Sequence, residues 1–289
     1  MRKVMIESAI NGNQMRERNP QVPWSPEEIA ADAIATCQAG ASLIHFHVRD
    51  ATTGAWVHDV PTYAQTIRGI RAGCDAVLWP TLANGDDPAV RYQHMFALSA
   101  DPATRPDLGL CDPGTVNLAG YDPVTRQLRG ERTYHNSYES CRYFLKACGE
   151  LGLRPTVQIF DASFLRAALV FLEQGLLSEP LLLKFYLGGP TVPVGLPPAR
   201  PSLEAYLHLL DGVQCNWFAG ALGADIAPLI PDIVQLGGHV RVGYEDHLHA
   251  DGVPLSNAQI VEQAASAIRA LGHEIATPAD ARQLIGIGP

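Results

Sequence analysis

Short apolar runs alternate with amphipathic segments along the whole chain. Runs rich in β-branched and aliphatic residues fall at 3–10, 43–48, 76–81, 108–111, 156–160, 181–186, 212–217 and 239–243, and their length and bounding turn residues predict buried strands. Between them lie stretches with helical spacing and legible caps. Ser25-Pro26-Glu27-Glu28 supplies an N-cap, a first-turn proline and the acid of a capping box, and Gly40 stands where a helix of this length ends. Ser256-Asn257-Ala258-Gln259 repeats the device ahead of the stripe Ile260, Ala264, Ile268, and Thr277-Pro278 predicts a last short helix. The seventh helix contains Pro228 and Pro231 and is expected to begin at one of them. Eight strand–helix units are what close a parallel barrel. The expected fold is α/β, a (β/α)8 TIM barrel with residues 1–289 in one domain.

The strand at 43–48 reads Leu43-Ile44-His45-Phe46-His47-Val48. Alternation along a strand sends both imidazoles to one face and Ile44 and Phe46 to the other. Two nitrogens so placed form half of a zinc site with an open position; the competing reading is a pair of hydrogen-bonded core histidines. The last strand, Gly238-His239-Val240-Arg241-Val242-Gly243-Tyr244-Glu245-Asp246, puts His239, Arg241 and Glu245 opposite Val240, Val242 and Tyr244. In a barrel the apolar side meets the helices, so the polar side faces the lumen. Closure sets strand eight beside strand one and strand one beside strand two, and His45, His47 and Glu245 then meet at the C-terminal mouth, where barrel enzymes keep their sites. Simple pairing of Glu245 with Arg241 is the alternative. An amidohydrolase arrangement would need histidines on strands five and six, and 156–160 and 181–186 have none.

Composition narrows the function. A net charge of −9 without Lys/Arg runs argues against nucleic-acid or acidic-membrane partners. The longest apolar stretches fall far short of the roughly 20 residues that span a bilayer. A strand-like segment starts almost at once, leaving no room for a signal peptide, so a cytoplasmic location is expected. The 6 cysteines are scattered without a Cys-X-X-Cys pair and are expected to be reduced.

Five segments together carry a resemblance: Ser25-Pro26-Glu27-Glu28-Ile29-Ala30; Ala39-Gly40-Ala41 with His45-Phe46-His47-Val48-Arg49-Asp50; Gly237 through Asp246; Ser256-Asn257-Ala258; and Ala276-Thr277-Pro278-Ala279-Asp280-Ala281-Arg282. In these the chain resembles the β-keto acid cleavage enzyme family (3-keto-5-aminohexanoate cleavage enzyme-like) from end to end. The resemblance implies a zinc-dependent barrel in which a β-keto acid and acetyl-CoA exchange carbon, giving acetoacetate and a new acyl-CoA. It implies His45, His47 and Glu245 as Zn2+ ligands, a donor set that another divalent transition metal such as iron, cobalt or nickel can also occupy, with Asp246 as base, Arg241 as its partner and substrate anchor, and Thr81 as the small hydroxyl after strand three. A homo-oligomer is expected.

Departures from the family pattern bear on the substrate. Gln14 stands where a member acting on an amino-bearing keto acid has an acid, and Pro155-Thr156-Val157-Gln158 replaces Pro-Glu-X-Glu. Ala83-Asn84 replaces Gly-Gly, Lys184 replaces a glutamine, and His247 replaces an Asn. With Gln14, Gln158 and Lys184 read as substrate-binding, loss of acids and gain of a lysine suit a neutral or anionic side chain. A metal-dependent retro-aldol lyase acting without CoA and a non-catalytic small-acid-binding barrel are the competing functions; acetyl-CoA dependence separates the first, and intact Asp246 and Arg241 argue against the second.

Overall fold

The computed structural model describes residues 1–249 and 254–288. Its centre is a parallel sheet of β1 (Ile6–Ala9), β2 (Leu43–Phe46), β3 (Val77–Pro80), β4 (Leu108–Cys111), β5 (Arg154–Ile159), β6 (Leu181–Gly188), β7 (Cys215–Leu222) and β8 (His239–Val242). Hydrogen-bonded neighbours run β3-β2-β1-β8-β7-β6-β5-β4, so β8 lies against β1 as barrel closure requires. The seam between β3 and β4 is joined by one acid. Asp107 donates its N–H to the Leu78 carbonyl at 2.9 Å, and its Oδ2 accepts the Leu78 N–H at 2.7 Å. Arg71 and Arg282 in turn hold that carboxylate.

Helices α1 (Pro26–Ala39), α2 (Val60–Arg71), α3 (Pro88–Ser99), α4 (Tyr138–Leu151), α5 (Ala162–Glu173), α6 (Arg200–Leu209), α7 (Ile230–Gln235) and α8 (Asn257–Ala270) surround the barrel, and α9 (Pro278–Ile285) follows. The expected capping boxes form at Ser25 with Glu28, Ser256 with Gln259 and Thr277 with Asp280. Pro228 sits in a 3-10 turn and Pro231 in the first turn of α7, where neither removes a needed N–H. No helix among the described residues is long and apolar enough to cross a membrane.

Three elements differ from the sequence pattern. The first run is broken at Met5, whose N–H goes to His239 Nδ1 at 3.0 Å, and its start, Lys3–Val4, pairs instead with Glu274–Ile275. The seventh strand begins at Cys215 and continues through Ala219-Gly220-Ala221, later than the expected 212–217. Gly212 has φ +78° and belongs to the turn, while Gly220 leaves the lumen space that Arg241 and Asp246 fill. A hairpin of Val116–Asp122 and Gln127–Tyr134, absent from the eight-unit pattern, is inserted between β4 and α4.

β1 through β4, β6 and β8 bury nearly every residue, as strands covered on both faces do. Their outward residues pack on helices; Phe46, for instance, meets Tyr63 of α2. The lumen is less ordinary. Where barrels generally stack branched apolar side chains, Glu7, His45, Gln158, Lys184 and Arg241 project inward, all 3 % exposed or less.

Candidate active site

His45 and His47 stand at the end of β2, and Glu245 follows β8 by a turn. His45 Nε2 lies 3.1 Å from His47 Nε2 and 3.2 Å from Glu245 Oε2, and His47 Nε2 lies 3.4 Å from Glu245 Oε1. One ligand atom from each fits within 4.8 Å of the other two. The backbone around them is pinned by amides. Asn11 accepts the His47 N–H at 3.0 Å and donates to the His47 carbonyl at 2.9 Å. Asn257, at the start of α8, accepts the Tyr244 N–H at 2.9 Å and donates to the Ile10 carbonyl at 2.8 Å. At Gly12 (φ +47°) an added Cβ would fall 2.3 Å from Glu245 Cγ, so glycine is what lets the first loop pass Glu245.

The donor set fits a cation. His45 Nδ1 lies 3.0 Å from the Trp79 carbonyl, which can only accept, so the ring proton is there and the Nε2 lone pair faces its partners. Burial pushes His47 down to about 4 despite the adjacent Glu245, leaving it neutral near pH 7. Burial also opposes ionisation of Glu245, but the positive charge around it, with the Arg241 guanidinium 3.2 Å away, outweighs it and holds the carboxyl well below the usual range. His47 Nδ1 and Glu245 Oε2 are buried without a hydrogen-bond donor or acceptor among the described residues. The His45 Nε2 lone pair, the His47 imidazole and the Glu245 carboxylate thus converge on one point, an arrangement a divalent metal satisfies.

Below this cluster lies a charge network. Glu7 accepts from Arg241 Nη1 at 2.7 Å, from Trp79 Nε1 at 3.0 Å and from the Lys184 ammonium. Arg241 grips Asp246 with two bonds of 2.9 Å, Nε to Oδ2 and Nη2 to Oδ1, and reaches Glu245 at 3.2 Å. Burying Glu7 disfavours its charge, yet Lys184 and Arg241 keep it ionised; burial lowers Lys184 to about 8. Burial raises Asp246 against the pull of Arg241, which makes it a stronger base than a solvated aspartate. Glu7, Glu245 and Asp246 together face Lys184 and Arg241, an excess of one negative charge that also favours a cation.

A cavity of about 210 Å³ opens above. His45, His47, Glu245, Thr81 and Gln158 line it, as does Asp112. Arg241 and Asp246 sit just beneath that lining. Two sequence expectations need correcting. Lys184 is not at the pocket wall: it is 1 % exposed and spent on Glu7 beneath the site, so its charge is already countered. Gln14 does not line the cavity either; its Nε2 donates to the Glu245 carbonyl at 3.2 Å. Gln158 is lodged, its amide nitrogen donating to Asp112 Oδ1 (2.5 Å), Cys111 O and Thr156 O.

Sequence reasoning missed Glu7, although an acid in Met5-Ile6-Glu7-Ser8-Ala9-Ile10 is the signal that marks a lumen charge. It also missed Asp112, which accepts from Tyr134 of the hairpin and which burial raises to about 6, and Arg132 on the same hairpin strand.

The chain aligns over residues 3–287 with the family model for the beta-keto acid cleavage enzyme. The chain belongs to that family. Among its relatives, the 3-keto-5-aminohexanoate cleavage enzyme of Fusobacterium nucleatum is 30% identical over 291 residues, 99% of each chain. The 3-oxoadipate:acetyl-CoA acetyltransferase of Cupriavidus necator is 28% identical, covering 98% of this chain and 94% of its own length. Of solved structures, the apo form of ObcA superposes with a TM-score of 0.71 at 20% identity, over 93% of this chain and 66% of ObcA, and shares the fold. As a member of this family, the chain is an enzyme.

Proposed function

We propose that this family member exchanges carbon between a β-keto acid and acetyl-CoA: the keto acid is cleaved, acetoacetate leaves, and the remainder departs as its CoA thioester. Membership in the family and the acetyl-CoA named for its Cupriavidus relative support this reading. The observation that carries it is the convergence of His45 Nε2, His47 Nε2 and a Glu245 carboxylate oxygen within 4.8 Å at the floor of the cavity. Those three residues would hold the metal, zinc by donor type. When bound, it supplies a Lewis acid for the keto oxygen.

The chain's own groups do the rest. Asp246, raised by burial, takes the proton from the carbon between the keto and carboxylate groups. Arg241 fixes the orientation of the Asp246 carboxylate with its bidentate grip and stabilises negative charge above it. Asp246 lies beneath the cavity wall, so the substrate carbon comes within its reach only as the substrate seats, in line with catalytic contacts that tighten only in the Michaelis complex. Thr81, in the cavity lining, offers a hydroxyl to the substrate. Trp79, stacked on His45 with ring centroids 3.8 Å apart, keeps one side of the site dry.

The test is a panel of β-keto acids with acetyl-CoA, read by mass for new CoA thioesters, before and after chelation. New thioesters that need both acetyl-CoA and metal are expected; cleavage proceeding without acetyl-CoA would instead favour a retro-aldol lyase.

A further inference from the structure

We propose that Arg132 is a specificity-determining residue that receives an acid group at the far end of the substrate, so that the preferred β-keto acid is a dicarboxylate. This rests on the exchange reading above and extends it to the substrate class.

Arg132 lies on the inserted hairpin, opposite Leu118 in register and two residues before Tyr134, and all three line the cavity. The hairpin is anchored at its base. Arg91 donates to Asn136 Oδ1 at 2.8 Å, Asn136 donates to the Gly114 carbonyl, and Tyr134 reaches down to Asp112. Farther out, Tyr121 donates its N–H to the Thr191 carbonyl at 2.8 Å. The guanidinium itself is oriented by Trp56, with Cζ 5.3 Å from the ring centroid, and one Nη meets Asn84 Oδ1 at 3.4 Å. Trp56 is fixed in its turn by donating Nε1 to the Gly12 carbonyl at 3.1 Å. A guanidinium placed over an indole and bonded to one amide oxygen keeps the rest of its fork free for a carboxylate.

Among the described residues Arg132 makes no ion pair, whereas the acids near it are engaged. Asp112 already accepts from Tyr134 and Gln158, one on each oxygen, and Glu245 belongs to the metal cluster. The distance also fits. The Trp56 ring that carries Arg132 is 4.9 Å from the His47 ring, so the guanidinium is no more than about 10 Å from that ligand. That is the reach of a keto acid's distal end, whereas the pantetheine arm holds the phosphates of acetyl-CoA well away from its thioester carbon. The walls between are Leu82, Leu110, Leu118 and Phe160, suited to a methylene chain.

Two keto acids of equal length, one ending in a carboxylate and one in a methyl group, are compared with the wild type and Arg132→Gln. The wild type is expected to favour the dicarboxylate in kcat/KM by at least tenfold, and Arg132→Gln to erase that ratio through KM. The preference for acetyl-CoA over S-acetylpantetheine, which has no phosphate, should stay the same. An unchanged keto-acid ratio, or a change only in the acetyl-CoA preference, overturns the proposal. Calorimetric titration with adipate and hexanoate reads binding without chemistry: tighter adipate binding that Arg132→Gln abolishes supports the proposal even if no thioester forms, a failure that would count against the exchange reading alone. Equal binding of the two acids overturns it.

Discussion

Gly220 of β7 and Asp246 after β8 are in such close approach that a Cβ on the glycine would lie 2.7 Å from Asp246 Oδ2 and 3.2 Å from Arg241 Cγ. The space that a side chain would fill is the space the carboxylate occupies while Arg241 holds it. Gly220→Ala is therefore expected to displace Asp246 and lower turnover at least tenfold while metal content, read by elemental analysis, stays at the wild-type level. Wild-type turnover in that variant would show that the position of the carboxylate is not critical.

The proposed function puts metal binding and proton transfer on different residues, and the two should separate. Asp246→Asn is expected to keep its metal and lose about 10² or more in kcat, the usual scale for a lost general base. His45→Ala should lose both metal and turnover. The comparison needs steady-state rates and metal content for the two variants side by side; metal loss in Asp246→Asn would move that residue into the ligand set.

The Glu7–Lys184 pair is buried on every side, at 0 % and 1 % side-chain exposure. Removing one partner strands a charge, and Lys184→Met or Glu7→Gln is each expected to cost about 3–5 kcal/mol in stability. The double variant should recover part of that loss, since no lysine is then left unpaired, although Arg241 still loses a partner at Glu7. Denaturant midpoints of the three variants measure the coupling; simple additivity would mean the two side chains do not act as a pair.

Asp32 of α1 accepts from Asn257 Nδ2 at 2.6 Å, and burial raises its carboxyl from 3.8 to about 6. A raised folded value means the native state holds the proton more tightly than the unfolded chain. The stability it contributes is fully present below about pH 4 and lost as pH rises through 6. Asp32→Asn, which keeps an acceptor for Asn257, should then be more stable than wild type at pH 8 by about 1–3 kcal/mol and no more stable near pH 4. Thermal unfolding at the two pH values checks this, and an equal difference at both would remove the carboxyl's charge as the cause.

The local code was enough for the frame and for the cluster of His45, His47 and Glu245. Strand and helix alternate because their periods and caps are written over a few neighbouring residues, as at Ser25 and Ser256, and His45-Phe46-His47 declares two imidazoles on one face by alternation alone. Closure of a barrel then brings Glu245 to them, because only one neighbour is available to each end strand. What the lumen charges do was decided in three dimensions. Lys184 read from its strand is a cation looking for a substrate, but Glu7, 177 residues away, claims it; burial makes an unpaired charge so costly that its partner, and not its own position, fixes its role. The cation that does face the cavity, Arg132, stands on a hairpin with polar residues on both faces, which gives no periodic signal and acquires a direction only by docking on Asp112, Trp56 and Thr191.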